Sequence, residues 1–320
     1  MEKRMNHDTL ITSLPGLRLP QRQLARPNEP NAPFTQPRLR SAEIEDIPTT
    51  PDLLYSRSPQ HFMLSQFEVG VGWHVGLKRK NNPNEDSLVT LQGTCCLDGE
   101  QLPFGLFAVA DGMGGHSFGR EASQIAARSM MQSVLPQIMA SSELHDERCI
   151  EFLLNGVEEA NANICRYSTE KKCDMGTTLT AALLLKNKAY IINVGDSRTY
   201  LLREREELTK VTLDHSLVAR LVAAGSITPD EVYTHPERNK VYRCVGTNNG
   251  VEVDWFTVDI QPGDQLLLCS DGLWEMVRDP EIERILRYSR DVHSASEQLV
   301  EAALRGGGSD NITAVVVQVQ

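Results

Sequence analysis

Short, densely apolar runs arranged in blocks with long amphipathic stretches predict an α+β fold of stacked layers. Three observations carry that reading. Phe104–Ala110 (FGLFAVA), Leu179–Leu185, Ala189–Val194, Gln265–Ser270 and Thr313–Val319 are rich in Val, Ile and Leu, as buried strands are. Ser123–Met139 and Glu147–Ser168 read as consecutive helices, with Ile125, Met130, Val134 and Ile138 near helical spacing. Strands and helices do not alternate one for one, which disfavours a Rossmann arrangement. No internal repeat is visible.

Along the chain, residues 1–65 hold nine of the sixteen prolines, mixed with Arg, Asn, Gln and Glu. They show no sustained periodicity and read as a disordered arm, either a plain solvated tail or a docking segment for a partner. Residues 66–320 form the folded domain. Adjacent apolar runs between Tyr190 and Leu202 suggest an antiparallel hairpin turning at Gly195-Asp196-Ser197. A helix is expected over Pro280–Ser289, with Asp279 as its N-cap and Pro280 at the first helical position. Another is expected over Ser294–Arg305.

The bulk numbers narrow the function. A chain of 320 residues, 40% hydrophobic and 23% charged, has the composition of a soluble globular protein. Its formal charge of -11 argues against general nucleic-acid binding, which calls for a basic stripe. An acidic chain can still act on phosphates where metal ions supply positive charge. The seven cysteines include no C-x-x-C pair, so they read as free thiols of a reducing cytoplasm. No apolar run reaches the roughly 20 residues of a membrane span. The first twenty residues carry charges and Pro15, unlike a secretory signal.

Most of the 43 acidic residues are expected to be turn formers and helix caps. Three aspartates differ. Asp111 follows FAVA and precedes Gly112-Met113-Gly114-Gly115; Asp271 follows LLLCS and precedes Gly272; Asp310 follows Gly306-Gly307-Gly308-Ser309. Each stands at the end of an expected buried strand, where side chains have little positional freedom. The flanking glycines let the backbone approach a ligand closely. Glu85-Asp86 form a fourth acidic group before Ser87–Leu91. Carboxylates converging on one place repel unless a cation sits among them, and hard oxygen ligands suit Mg²⁺ or Mn²⁺. Spacing alone leaves their convergence open.

Seven short motifs now bear on the question. Asn84-Glu85-Asp86-Ser87, Val109-Ala110-Asp111-Gly112-Met113-Gly114-Gly115-His116, Met175-Gly176-Thr177-Thr178, Gly195-Asp196-Ser197-Arg198, Leu213-Asp214-His215-Ser216, Ser270-Asp271-Gly272-Leu273-Trp274 and Ser309-Asp310-Asn311-Ile312-Thr313 occur in this order. Together they resemble the metal-dependent serine/threonine protein phosphatases, the PPM or type 2C family, in its bacterial branch. The resemblance covers about residues 67–320. It implies a central β-sandwich of two antiparallel sheets flanked by pairs of α-helices. It further implies that Asp111 bridges two ions, with the Gly112 carbonyl on one of them. Asp271 and Asp310 complete the first ion's shell, and Glu85 and Asp86 hold the second largely through water. In such a site a water shared by two cations loses its proton near neutral pH and attacks phosphorus in line. Asp174 is the candidate for a third ion shared with Asp271, with a cap or turn as its alternative. Asp196 is expected to fix the hairpin and the core network and not to bind metal. Asp214 and His215 are expected to be structural, opening a flap over roughly Ser216–Gly246.

The family pattern is not met everywhere. Its phosphate-gripping arginine falls a few residues before the Glu-Asp pair, and here Arg79 stands six before Glu85 in a longer loop. Arg79 is preferred to Lys78 and Lys80 because a guanidinium clamps phosphate through two parallel hydrogen bonds. Met113 stands where eukaryotic members carry a proton-donating histidine, and His116 is expected to support the loop, so the general acid is unassigned. Arg120 replaces a commonly acidic residue. The resemblance implies phosphorylated proteins as substrates, serine/threonine kinases among the partners, and a monomer in the cytoplasm. A catalytically inactive, phosphatase-shaped interaction module and a two-metal nuclease are the competing readings.

Overall fold

The computed structural model describes residues 66–97, 99–114 and 118–320. The arm read over residues 1–65, and His116, lie outside the described residues. The chain runs β1 (Phe67–His74), β2 (Asp86–Leu97), β3 (Glu100–Gly114), α1 (Phe118–Ala140), α2 (Asp146–Lys171), β4 (Met175–Thr177), β5 (Leu179–Leu185), β6 (Lys188–Val194), β7 (Arg198–Leu202) and β8 (Thr209–Lys210). Then follow α3 (Leu217–Ala223), a 3-10 turn at Pro229–Thr234, β9 (Asp254–Asp259), β10 (Gln265–Cys269), α4 (Asp271–Trp274), α5 (Asp279–Tyr288), α6 (Val292–Arg305) and β11 (Ile312–Val319).

Two antiparallel sheets result. One runs β1-β11-β10-β7-β8 and the other β2-β3-β5-β6-β9, with β4 added to the end of β3. Side chains alternate across each strand, so the apolar runs feed two interiors at once. In β3, Phe107 and Val109 enter the layer between the sheets, while Leu106, Ala108 and Ala110 face α1 and α2. In β11, Val315, Val317 and Val319 enter the central layer, while Ala314 and Val316 face α5 and α6. Burial on both faces explains why these strands read as unbroken apolar runs. Helices α1 and α2 cover one sheet, and α5 and α6 cover the other.

Two expectations need correction. The run Tyr190–Leu202 is not a hairpin: β6 pairs with β5 and β9 in one sheet, and β7 with β10 and β8 in the other. Gly195-Asp196-Ser197 is a corner between sheets, with Gly195 at a φ of 105° that favours glycine. The turn chemistry is the same in both cases, and only burial of both strands on both faces separates them. The N-cap of α5 is Arg278, and Asp279 lies in the first turn, where its carboxylate accepts a hydrogen bond from the Tyr200 hydroxyl (3.1 Å).

A buried polar network secures that corner. Arg198 donates from Nε (3.1 Å) and Nη2 (2.7 Å) to the Asp214 carboxylate and from Nη1 to the Tyr200 hydroxyl (2.9 Å). Its guanidinium lies 3.5 Å from the centre of the Trp274 ring. Lys210 Nζ lies 3.2 Å from the same carboxylate. The Gly195 N–H donates to His215 Nδ1 (3.0 Å), whose Nε2 meets Asp254 (3.0 Å). Burial pulls the Asp214 carboxyl upward, but Arg198 and Lys210 outweigh it and hold it below the usual carboxylate range.

Asp214→Ala leaves Arg198 buried without its partner and should destabilise the fold by about 3–5 kcal/mol, read as a lower urea midpoint. Because the folded-state value of Asp214 is depressed, its contribution is present above its unfolded value, about pH 3.9, and is lost as pH falls further. The gap between wild type and variant should therefore narrow below about pH 4; a constant gap down to pH 3 counts against this assignment.

Candidate active site

The ends of both sheets meet at one pole of the sandwich, and the acidic motifs lie there. Asp86 opens β2 directly across the ladder from Asp111, which lies near the end of β3. Asp271 follows β10 at the start of α4, and Asp310 lies just before β11. Asp86 belongs to one sheet, yet its Oδ2 accepts hydrogen bonds from the hydroxyls of Ser270 (2.7 Å) and Thr313 (2.6 Å), which flank the other. The Glu85 N–H donates to Asn311 Oδ1 (2.7 Å) across the same gap. Asp111 is held by its N–H to Thr178 Oγ1 (3.0 Å) and by its carbonyl, which accepts from the Thr178 N–H (2.8 Å).

Close backbone approach sets the glycines of these motifs. A Cβ on Gly112 would lie 1.9 Å from the carbonyl oxygen of Gly119 in the first turn of α1. One on Gly119 would lie 2.7 Å from the Gly112 carbonyl oxygen and 2.8 Å from Glu85 Oε1. Gly272 packs on Asn311 in the same way, at 1.9 Å from that residue's carbonyl oxygen. No side chain fits at any of the three without displacing backbone.

Arg79 reaches into this pole. It donates from Nη1 to Glu85 Oε2 (2.6 Å), and its Nε lies 2.8 Å from Asp310 Oδ1. Among the described residues, no cation forms an ion pair with Asp86, Asp111 or Asp271. Desolvation pushes the Asp86 carboxyl up to about 6, against the pull of the Thr313 and Ser270 hydroxyls. Asp111 is held well above the usual carboxylate range by desolvation and then by Asp86, Asp271 and Asp310. Asp271 is raised likewise by burial, Asp196, Asp310 and Glu275. Burial and Asp214 push Asp196 up to about 7. These carboxyls are crowded by like charge and short of water.

Of the residues singled out in the sequence, Arg79, Glu85, Asp86, Asp111, Gly112, Asp271 and Asp310 come together at this pole. Asp174 is exposed after α2, where its charge acts on Cys244, and the carboxylates acting most strongly on Asp271 do not include it. Sequence reasoning missed the supporting groups Ser270, Thr313, Asn311 and Thr178. It also gave Asp196 a role in the hairpin and the core network, and the carboxyl in addition acts on Asp111 and Asp271 of the cluster. Ser270, Asn311, Thr313 and Thr178 all stood inside the quoted motifs. Their roles depend on which way each points across the gap between sheets, which no spacing along the chain encodes.

Among the described residues, no three His, Cys, Asp or Glu side chains are drawn tightly enough together to make a ready metal cage. The donor set nonetheless fits a hard divalent cation. Glu85 Oε1, Asp86 Oδ1 and Asp271 Oδ1 are buried without a hydrogen-bond partner. Buried acceptors of this kind are costly unless something positive meets them. All are oxygen, as Mg²⁺ and Mn²⁺ prefer.

Comparison with known proteins agrees with this geometry. The family model described as protein phosphatase 2C matches residues 77–305. The serine/threonine phosphatase stp of Listeria monocytogenes serotype 4b is 40% identical over 213 residues, covering 66% of this chain and 82% of its own. Protein phosphatase PhpP of Streptococcus pneumoniae is 36% identical over 253 residues, covering 78% and 96% respectively. The crystal structure of the catalytic domain of the serine/threonine protein phosphatase PstP, in complex with two manganese ions, superimposes with a TM-score of 0.63. It shares 34% identity over 79% of this chain and 97% of that one. A family match over most of the domain, an antiparallel sandwich with helices outside, and acidic motifs gathered at one pole lead to one assignment. The chain belongs to the protein phosphatase 2C family, in the bacterial branch of the metal-dependent serine/threonine phosphatases.

Proposed function

We propose that residues 66–320 are the catalytic domain of this serine/threonine protein phosphatase and that the pole of the sandwich seats two divalent ions, Mn²⁺ or Mg²⁺. One observation carries the reading: Asp86, Asp111 and Asp271 sit together with raised proton affinity, and Asp86 and Asp271 each bury an oxygen without a partner. Asp111, with the Gly112 carbonyl, would be a ligand common to both ions; Asp271 and Asp310 would hold one of them, and Glu85 and Asp86 the other. Such a pair of ions would supply an activated water nucleophile and offset charge on the phosphoryl oxygens.

The protein's own groups do the positioning. Ser270 and Thr313 hold Asp86 on one oxygen and leave the other to face the site. Asn311 fixes the backbone of Glu85. Arg79, kept at the mouth by Glu85 and Asp310, has five N–H donors, so further ones are available to grip the substrate phosphate. Asp174, exposed after α2, is the residue offered for a third ion, shared with Asp271.

The family assignment makes phosphorylated proteins the substrates. Serine/threonine kinases as partners, a monomeric state and a cytoplasmic location belong to the same proposal. The net charge of -11 disfavours nucleic acid as a partner, and among the described residues no helix is long and apolar enough to cross a membrane. The inactive-module reading finds no support in the named relatives, and the carboxylates it could dispense with are all present.

A phosphothreonine peptide should be hydrolysed with added Mn²⁺ or Mg²⁺, and turnover should vanish with EDTA and in Asp271→Ala. Absence of turnover with either metal would favour the interaction-module reading. Arg79→Ala should chiefly raise KM, since phosphate grip is lost before metal binding; kinetic constants equal to wild type would remove Arg79 from the site. Deleting residues 1–65 should leave hydrolysis of p-nitrophenyl phosphate intact, and a large loss would place part of the arm inside the catalytic domain.

A further inference from the structure

Beside the metal pole, a groove of about 690 Å³ opens between α1 and the two edge strands β1 and β2. Asp86 forms part of its wall, so the groove leads directly off the catalytic site. The face of β1 that carries Phe67 into the central layer also carries Val71 and Trp73 two and three steps further along. There the sheets no longer cover them, and they are 40% and 55% exposed. The Trp73 indole N–H points at the Asp86 carbonyl (3.4 Å), which fixes the ring at the mouth beside Pro83.

The opposite wall is α1, where Arg120 and Arg128 line the groove and both are exposed. Neither makes an ion pair among the described residues, whereas most arginines of the domain do. Asp86 is the one carboxylate among the groove's lining residues, and it lies at the metal end. Away from that end the walls are therefore apolar on one side and positive on the other.

Resting on the phosphatase reading, we infer that this groove docks the substrate chain beside the phosphorylated residue and selects acidic sequences. Arg120 and Arg128 lie eight residues apart on α1, or about 12 Å at ~1.5 Å per residue. An extended peptide advances about 3.3 Å per residue, so the two arginines match acidic residues roughly three to four positions apart. Arg120 serves the position nearer the phosphate, Arg128 the farther one, and Trp73 with Val71 takes an apolar side chain between them.

The test uses the full-length protein with Mn²⁺ and three phosphothreonine peptides. One carries two Glu, three residues apart, on the N-terminal side; one carries them on the C-terminal side; the reference has Gln at these positions. One acidic peptide should exceed the reference in kcat/KM by about tenfold, through KM, the size that two exposed ion pairs give. The preference should shrink at high salt and fall to about one in Arg128→Glu, whose exposed position leaves the fold undisturbed. Trp73→Ala should lower kcat/KM for all three peptides relative to p-nitrophenyl phosphate. No preference in wild type, or a preference that survives Arg128→Glu, overturns the docking proposal while leaving the phosphatase reading intact. Failure of wild type to hydrolyse any of the peptides overturns both.

Discussion

Crowding of like charge at one end of the sandwich is the constraint around which the rest of this protein is organised. Asp86, Asp111, Asp271 and Asp310 come from four segments and two sheets, and the other three all raise the proton affinity of Asp111. A fold tolerates such a cluster only if its members are held in place and a cation can meet them. Arg79 answers for Glu85 and Asp310 at the rim. Deeper in, two hydroxyls on Asp86 do not suffice to restore an ordinary carboxylate, and Asp271 keeps an orphaned oxygen. Metal dependence is thus the consequence of an electrostatic problem that the polypeptide leaves unsolved.

Rigidity at this pole comes from backbone packing and not from the carboxylates. Gly112 against Gly119 lashes the end of β3 to the first turn of α1, and Gly272 against Asn311 joins α4 to the start of β11. Because both contacts are made by main chain, they fix the backbone of the ligand segments, and the Ser270 and Thr313 hydroxyls then fix the Asp86 side chain. The central layer of Phe107, Val109, Leu184, Ile191, Leu266, Leu268, Val315 and Val317 then fixes one sheet on the other. The hydrogen bonds of Ser270 and Thr313 to Asp86 can form only if that packing is correct.

A second buried network ties the segment after Ser216 to α4, which begins at Asp271. Arg198 clasps Asp214 and lies on Trp274; Trp274 donates its N–H to the Asp196 carbonyl (3.0 Å). The edge of Tyr233, in the turn at Pro229–Thr234, meets the same indole with ring centres 6.2 Å apart. The segment from Ser216 onward thus packs on the residue three places after Asp271.

The sequence by itself determined the layers, since runs such as Leu179–Leu185 and Thr313–Val319 are apolar on both faces and so need partners on both sides. It also determined which aspartates stand at strand ends beside glycine, because that pattern is local. Tertiary structure alone decided that Gly195-Asp196-Ser197 turns between sheets, since a tight turn looks the same whether its strands pair or part. It likewise decided that Asp196 joins the electrostatic cluster, and that Trp73 shares a groove with Arg120 and Arg128, neither of which has an ion-pair partner among the described residues. Burial and charge proximity are properties of segments far apart in the chain, and residues 86, 111, 271 and 310 acquire them only when two sheets close on a common core.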